Sequence, residues 1–267
     1  AGSDSVILIS FNATDADGVT QINGTDGGRA IVNLTLGTPS DSQFRTQNSC
    51  TNTTTGSGAT GIVTFNCTIN MRYYDNNSAN WLINISVIDS TDRTGRNDSN
   101  GSTLHTFTYN SLASFSITAK DVSESASLNF STIFLNDQNI AAKAPLLLNN
   151  TGNNDFDQIN ITGAALIGIT TPSETIAASS FFVNMTNNTA GNGLALSNSP
   201  QVITATDGIT NATLFHGYAI SGDTPPYTGL TSTRGNLSLY FWVDVPSSGL
   251  SAQTYNNTWN LTVVDLS

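Results

Sequence analysis

Apolar and polar side chains alternate with a period of two at the end of the chain, in YNNTWNLTVVD, residues 255–265. Tyr255, Trp259, Leu261 and Val263 share one parity, and asparagine and threonine dominate the other. Successive side chains of a strand point to opposite faces, so this pattern predicts a strand with one buried face. The same pattern recurs in short runs separated by clusters of Gly, Asn, Asp and Ser. We therefore expect an all-β protein.

The strand-like runs fall into two series along the 267 residues, a length that accommodates two domains with a full core each. Short strands with turn signals between them are typical of β-sandwiches. We expect two β-sandwich domains in tandem, residues 1–112 and 113–267. The predicted strands are 5–13, 29–36, 62–74, 81–89 and 104–109 in the first domain, and 114–119, 128–135, 145–148, 157–169, 180–186, 201–206, 212–220, 237–245 and 254–264 in the second.

One segment, TPSETIAA at residues 171–178, carries a helical signal instead. Thr171 is in position to cap a helix, Pro172 would occupy its first turn, and Glu174 completes a capping box. The segment predicts a helix of at most two turns.

About 18 Asn-x-Ser/Thr acceptors for N-linked glycans occur in the chain, where chance predicts roughly 8. In a strand the Asn and the Ser or Thr of an acceptor stand on the same face, while the middle residue points the other way. Several acceptors have an apolar middle residue, which suits a strand whose outer face carries sugar. The alternative is that a chain rich in these residues forms the motif by accident. The acceptor asparagines are Asn12, Asn23, Asn33, Asn52, Asn66, Asn76, Asn84, Asn97, Asn100, Asn129, Asn149, Asn160, Asn184, Asn187, Asn211, Asn236, Asn256 and Asn260.

Charged residues make up 10% of the chain, against roughly 25% in ordinary soluble domains. Neutral polar side chains and glycans, rather than charged residues, would therefore hydrate the protein surface. The formal net charge of −11 makes nucleic acid an improbable partner. Together with the acceptors, this composition predicts a secreted, heavily N-glycosylated protein that is extracellular or held at the cell surface.

The chain opens with AGSDS, which has neither the basic nor the apolar region of a signal peptide. We take Ala1 as an N-terminus from which a signal peptide has already been removed. No run approaches the ~18 apolar residues of a membrane span. The sequence therefore predicts no transmembrane segment.

The two cysteines, Cys50 and Cys67, suggest one disulfide. Cys67 falls on the same parity as Val63, Phe65 and Ile69, which is the predicted inward face, and Cys50 lies in the preceding loop. A disulfide closing this short loop would stabilise the fold by roughly 3 kcal/mol. Two buried free thiols are the alternative.

No catalytic motif stands out in the chain. The sequence contains no His-Glu-x-x-His, Gly-x-Ser-x-Gly, Cys-x-x-Cys or P-loop pattern. His105 and His216 are the only histidines, and each fits a core or edge position better than a catalytic one. We assign no catalytic residue and expect the protein not to be an enzyme.

A calcium site is a second chemical hypothesis, and it rests on Asp15-Ala-Asp17-Gly18. The EF-hand pattern needs an oxygen ligand where the chain has Ala13, so a turn is preferred in which Gly18 supplies a positive φ. A site between domains would draw on residues such as Asp89, Asp92 or Asp121. The sequence does not place such a site, so we assign no metal ligand and no cofactor besides N-linked glycans.

Several segments resemble known surface proteins. PLLLNNTGNNDFDQINITGAAL (145–166) and FWVDVPSSGLSAQTYNNTWNLTVVD (241–265) resemble the strands and closing hairpin of immunoglobulin-like domains in archaeal surface proteins. FNATDADGVTQIN and WLINISVIDSTDRTG in the first part are similar to cadherin- or PKD-like repeats. The resemblance implies two immunoglobulin-like β-sandwich domains, and it brings no catalytic residue.

Two functions follow from the resemblance. One is a subunit of an archaeal extracellular filament of the thread or bundling-pilus kind, a homopolymer in which each subunit donates its N-terminal strand to the next by donor-strand complementation. The alternative is an S-layer or adhesin-type binding module whose partners are other cells or surfaces. We expect the filament subunit.

The run at residues 5–11 fits strand donation because it is apolar on both parities. Val6 and Leu8 lie on one parity, and Ile7, Ile9 and Phe11 lie on the other. Such a run suits burial between two layers, and a donated strand fills a neighbour's groove. We predict that it inserts into the adjacent subunit, so these five residues are interface residues. The alternative is an ordinary first strand of the N-terminal domain.

A second predicted contact lies in LSLYFWVDV, residues 237–245. The inward parity is apolar, yet the outward parity carries Tyr240 and Trp242, which a freely solvated sheet face would not favour. We predict that Tyr240 and Trp242 form a subunit contact, because tyrosine and tryptophan are enriched at interfaces. The alternative is that a loop of the same chain covers them.

Overall fold

A computed structural model describes residues 3–15, 18–22, 28–36, 43–53, 61–97, 105–119, 127–187, 193–204, 211–214, 216 and 235–265. Within these residues, antiparallel strands dominate and two short 3-10 turns, Val19–Gln21 and Ala178–Ser180, are the only helical elements. The all-β prediction is confirmed. An immunoglobulin-like topology stays a prediction.

The chain divides into two compact units, one within Ala1–Leu112 and the other within Ala113–Ala219 and Thr233–Ser267. Each unit contains several sheets and its own buried apolar side chains, as expected of β-sandwich architecture. Independent folding of the two as domains stays a prediction.

In the part of the first unit that the structure describes, the strands form two sheets. One has the strand order β1-β5-β4, and the other has the order β3-β2-β6-β7 with β8 also paired to β6. The strands are β1 Ser5–Ala13, β2 Arg29–Leu36, β3 Gln43–Gln47, β4 Thr51–Asn52, β5 Val63–Met71, β6 Ser78–Ile88, β7 Thr94–Asn97 and β8 Thr106–Tyr109.

The core of the first unit lies between these sheets. Strand β5 buries every second residue from Val63 to Met71, as its alternation requires. Cys67 and Ile69 of β5 pack with Val32 and Leu34 of β2 and with Trp81 of β6. The predicted disulfide is confirmed, since Cys50 and Cys67 are bonded at an S–S distance of 2.01 Å.

The described residues of the second unit form three sheets, with orders β16-β15-β18-β11-β9, β17-β12-β20 and β14-β13-β19, and β10 also pairs with β18. The strands are β9 Phe115–Ala119, β10 Ile140–Ala141, β11 Leu146–Asn150, β12 Gln158–Thr162, β13 Leu166–Gly168, β14 Thr175–Ile176, β15 Phe181–Asn184, β16 Leu194–Ala195, β17 Gln201–Val202, β18 Asn236–Val243, β19 Tyr255–Asn256 and β20 Asn260–Val264.

The closing segment behaves as its alternation predicts. Trp259 packs edge-on against Phe181 at a centroid distance of 5.0 Å, and its indole N–H donates to the Ala164 carbonyl at 2.9 Å. Leu261 and Val263 also pack on the core, while the polar residues between them are exposed. The strand is therefore half-buried.

The predicted helix at residues 171–178 is wrong. The backbone N–H of Glu174 donates to the Thr171 carbonyl in a turn, and Thr175–Ile176 then forms strand β14. The Glu174 carboxylate accepts hydrogen bonds from Ser251 and Tyr255 instead of capping a helix. A distant tertiary contact thus overrides the local capping signal.

Candidate subunit interface and acceptor sites

Strand β1 lies at the edge of its sheet. All nine of its residues pair with β5, from Ser5 opposite Met71 to Ala13 opposite Val63, and no described strand pairs with its other side. Its inward side chains pack on the core of the first unit, and the ring of Phe11 stacks on Phe65 at a centroid distance of 5.5 Å. Within one chain, residues 5–11 therefore form an ordinary first strand; their insertion into an adjacent subunit stays a prediction.

The outward face of β1 is apolar at one end and polar at the other. Val6 and Leu8 are 67% and 63% exposed, so a single chain buries only one of the two apolar parities. Further along the same face, Ser10 donates to the amide oxygen of Asn66, and Thr64 donates to that of Asn12. The exposed apolar patch therefore borders two predicted glycan acceptors.

The start of β1 is held by a polar contact at the same edge. The Asp4 carboxylate pairs with the Arg72 guanidinium at 2.8 Å, and its other oxygen accepts from the backbone N–H of Tyr73. Both partners of the ion pair are substantially exposed, so it contributes at most about 1 kcal/mol. The core contacts of β1 therefore dominate its attachment.

The described acceptor side chains all reach the surface to some extent. The asparagines buried in the described part of the chain are Asn150 and Asn153, and neither is the asparagine that would carry the sugar of an acceptor motif; Asn150 is the middle residue of Asn149-Asn150-Thr151. Asn23 and Asn100 fall outside the described residues, and Asn97 lies in β7. The half-buried or exposed acceptors are Asn12, Asn33, Asn52, Asn66, Asn76, Asn84, Asn129, Asn149, Asn160, Asn184, Asn187, Asn211, Asn236, Asn256 and Asn260.

Several acceptors face one another across neighbouring strands. Asn33 lies directly opposite Asn84, and Asn149 lies directly opposite Asn236. The amide oxygen of Asn33 also accepts from the Thr46 hydroxyl at 2.8 Å. Because the oxygen and the nitrogen are on different arms of the planar carboxamide, the atom that faces Thr46 is the oxygen, and the nitrogen, which would carry a sugar, does not take part in this bond.

Tyr240 and Trp242 occupy one face of β18 with their ring centroids 6.5 Å apart. Trp242 is only 5% exposed, and it lies between Phe182 of β15 and Ala141 of β10. For Trp242 the structure therefore favours the alternative that the same chain covers it. Tyr240 is half-buried, and a subunit contact there stays a prediction.

The two histidines lie in different settings. His216 is half-buried, and both its backbone N–H and its ring Nδ1 contact Asp155 Oδ1, at 2.6 and 2.5 Å. Burial raises the pKa of Asp155, but the hydrogen bonds from His216 outweigh burial and lower it. His105 is exposed immediately before β8, so it occupies an edge position.

The turn interpretation of the calcium-like segment is supported at Gly18. Its φ is 112°, and its N–H donates to the Asp15 carbonyl at 3.3 Å. Asp89 is buried, and its carboxylate accepts from the backbone N–H groups of Thr91 and Arg93, both at 2.8 Å. Asp17 and Asp121 lie outside the described residues.

Within the described ranges, no three His, Cys, Asp or Glu side chains come together as a metal site would require, and no helix is long and apolar enough to cross a membrane. The resemblance to archaeal surface proteins rests on the quoted segments. Compared with family models, curated proteins and solved structures, the chain shows no match to any of them.

Proposed function

We propose that this chain is a structural subunit of a glycosylated extracellular filament, assembled head to tail by donation of strand β1 to the neighbouring subunit. The supporting observation is the state of β1, an edge strand with two large apolar side chains, Val6 and Leu8, exposed on its outward face. Natural proteins usually protect such edges, because they pair with other chains. A contact with another subunit would bury the exposed side chains of Val6 and Leu8 and would pair the outer edge of β1.

In strand donation, the β1 of one subunit would pair with the β5 of its neighbour. This pairing would replace the one that β1 and β5 make within a single chain. If β1 leaves its unit, the edge of β5 and the groove for Ile7, Ile9 and Phe11 open, and the β1 of a neighbour fits them with the same register. Exchange of an identical element is a low-cost route to association, and a head-to-tail contact that does not close generates a filament. Burying three such side chains contributes roughly 4–9 kcal/mol before ordering costs.

The outward face of β1 needs a second contact, since exchange alone leaves Val6 and Leu8 as exposed as they are in one chain. Runs that are apolar on both faces are generally buried on both. Leu8 and the acceptor Asn12 are separated by about 13 Å along the strand, so a sugar on Asn12 would border the apolar patch without covering it. The joint would therefore bury both faces of the first half of β1.

A cysteine pair tests whether β1 is donated. Leu8 and Thr68 lie directly opposite each other on β1 and β5, so the variant Leu8→Cys/Thr68→Cys can form a disulfide across this pair. Oxidised filaments should then resolve into a covalent ladder of oligomers on a denaturing gel without reductant. The matched control is Ile31→Cys/Ser86→Cys, a pair on β2 and β6, which should crosslink only within one chain.

The outcomes separate the candidate functions. Visible filaments in which the Leu8–Thr68 crosslink stays within single chains would refute donation. Filaments of normal width formed by a protein lacking residues 1–11 would refute it too. Two-dimensional arrays in electron micrographs, in place of filaments, would favour the S-layer alternative.

A further inference from the structure

A small depression lies on the outward face of β18. Its volume is about 170 Å³, and its lining includes Tyr240, Trp242, Lys143, Pro145 and Asn187. Drug-sized ligands occupy pockets of roughly 300–1,000 Å³. The depression therefore suits a smaller group, of the size of a single sugar ring.

The lining has the chemistry that a sugar needs. Trp242 lies beside Phe182 and Tyr240 lies beside Asn184 in the register of β18 and β15, and the planes of the Tyr240 and Trp242 rings are inclined by only 31°. Trp242 is only 5% exposed, so the half-buried Tyr240 is the ring that offers an apolar surface to the C–H face of a sugar. The Tyr240 hydroxyl and the Lys143 ammonium add polar groups for its hydroxyls.

The chain itself places an acceptor at the rim. Asn187 is exposed, lines the depression and begins the motif Asn187-Asn188-Thr189. A sugar on its amide nitrogen would start at the edge of the depression. Tethering makes the encounter intramolecular, so even a weak contact would be well populated.

We propose that the first sugar of an N-linked glycan on Asn187 packs into this depression against the accessible part of the Tyr240 ring, beside the buried Trp242. The inference rests on the glycosylated character in the proposed function and does not depend on strand donation. The chain itself covers Trp242, and the exposed part of Tyr240, which the sequence predicts to be covered by another subunit, is then covered by the chain's own glycan.

Thermal unfolding of the glycosylated protein tests this contact through a double-mutant cycle of Asn187→Gln and Tyr240→Thr. Asn187→Gln should lower the unfolding temperature of the second unit by about 2–4 °C, and it should have little further effect when Tyr240→Thr is also present. Asn33→Gln is the matched control, because the cross-strand neighbours of Asn33 are Thr46 and Asn84 and neither is aromatic. Its effect should be the same with and without Tyr240→Thr.

A second measurement covers the case in which Tyr240→Thr does not fold. Proton NMR of the glycosylated protein should show sugar resonances shifted upfield by the rings, and these should disappear in Asn187→Gln and persist in Tyr240→Phe. Additive temperature losses, absence of shifted resonances, or coupling of Tyr240 to Asn184→Gln instead would overturn the inference.

Glycopeptide mass spectrometry separates the two proposals. Sugar on other acceptors but not on Asn187 refutes the inference alone. A protein at its bare mass of 28.1 kDa refutes the glycosylated subunit as well.

Discussion

Replacing Val6 and Leu8 together by threonine should weaken filament assembly while leaving the folded subunit intact. These side chains are 67% and 63% exposed, so the polar substitutions should change the free energy of unfolding by no more than about 0.5 kcal/mol each. Threonine also keeps a high preference for strands.

The effect on assembly follows from the same exposures. Full burial of such a side chain is worth roughly 1.5–3 kcal/mol, and about two thirds of that remains to be gained at the joint. The pair therefore contributes about 2–4 kcal/mol per joint, which corresponds to a roughly 30- to 700-fold change in the association constant. The concentration at which filaments first form should rise by that factor.

Sedimentation of filaments over a range of protein concentrations measures this threshold, and circular dichroism confirms that each variant is folded. Ile169→Thr is the control, because Ile169 is also an exposed apolar side chain, at 59%, and belongs to the second unit. An unchanged threshold for Val6→Thr/Leu8→Thr would show that the joint does not bury this face of β1.

Three further predictions concern stability and pH. Asp75 is fully buried and pairs with Arg45, so Asp75→Ala should lower the free energy of unfolding of the first unit by about 3–5 kcal/mol in denaturant titrations. Cys50→Ser/Cys67→Ser opens a loop with a sequence separation of 17 and should cost about 3 kcal/mol in the same assay. Hydrogen bonds from Ser251 lower the pKa of Glu174 from 4.5 to about 2. Because the pKa is lower in the folded state, the ionised carboxylate stabilises the fold above about pH 4.5. This stabilisation should be lost as the pH falls towards 2.

Each of these predictions has a direct check. A loss much below 3 kcal/mol in Asp75→Ala would show that the remaining Arg45 charge regains water at little cost. Reduction of the wild-type disulfide should reproduce the effect of the double serine variant. Unfolding measured from pH 6 to pH 2 should show a stability difference between wild type and Glu174→Gln that shrinks on acidification, and a constant difference would contradict the assigned role of the carboxylate.

Sequence patterns predicted those parts of the fold that local alternation determines. The inward parity of the last strand, with Trp259 on the core, and the disulfide partner Cys67 both follow from a period of two. Strand β3, QFRTQ, was not predicted, because its polar composition gives no alternation and its place depends on pairing with β2. Residues 128–135 have the composition of a strand but join no ladder.

The misplaced helix and the covered tryptophan share a physical cause. Glu174 bonds to Tyr255, 81 residues away in sequence, and Trp242 is flanked by Ala141 from β10. Tyr255 and Ala141 are both far along the chain from the residues they contact. Capping boxes and exposed strand faces are predicted from neighbouring residues only, so these contacts could not be foreseen. At the candidate interface, the apolar character of Val6 and Leu8 was evident from sequence, whereas their exposure on the outward face required the register of β1 with β5.

On the proposed glycosylation, the position of each acceptor within its sheet would set the order in which sugar addition and folding occur. Strand β12 is central in its sheet, and its acceptor Asn160 faces Thr262 of the acceptor Asn260-Leu261-Thr262. A transferase that binds the backbone of the acceptor segment could reach a strand paired on both sides only if its ladder were broken, because both rows of backbone groups are already hydrogen-bonded. If Asn160 is glycosylated as proposed, we expect it to receive its sugar before the chain finishes folding, whereas Asn12, on a strand paired on one side only, should stay easier to reach afterwards. Protein folded without sugar and then exposed to the transferase should be modified at Asn12 and not at Asn160, and equal occupancy at both would show that the sheet opens on the timescale of the enzyme.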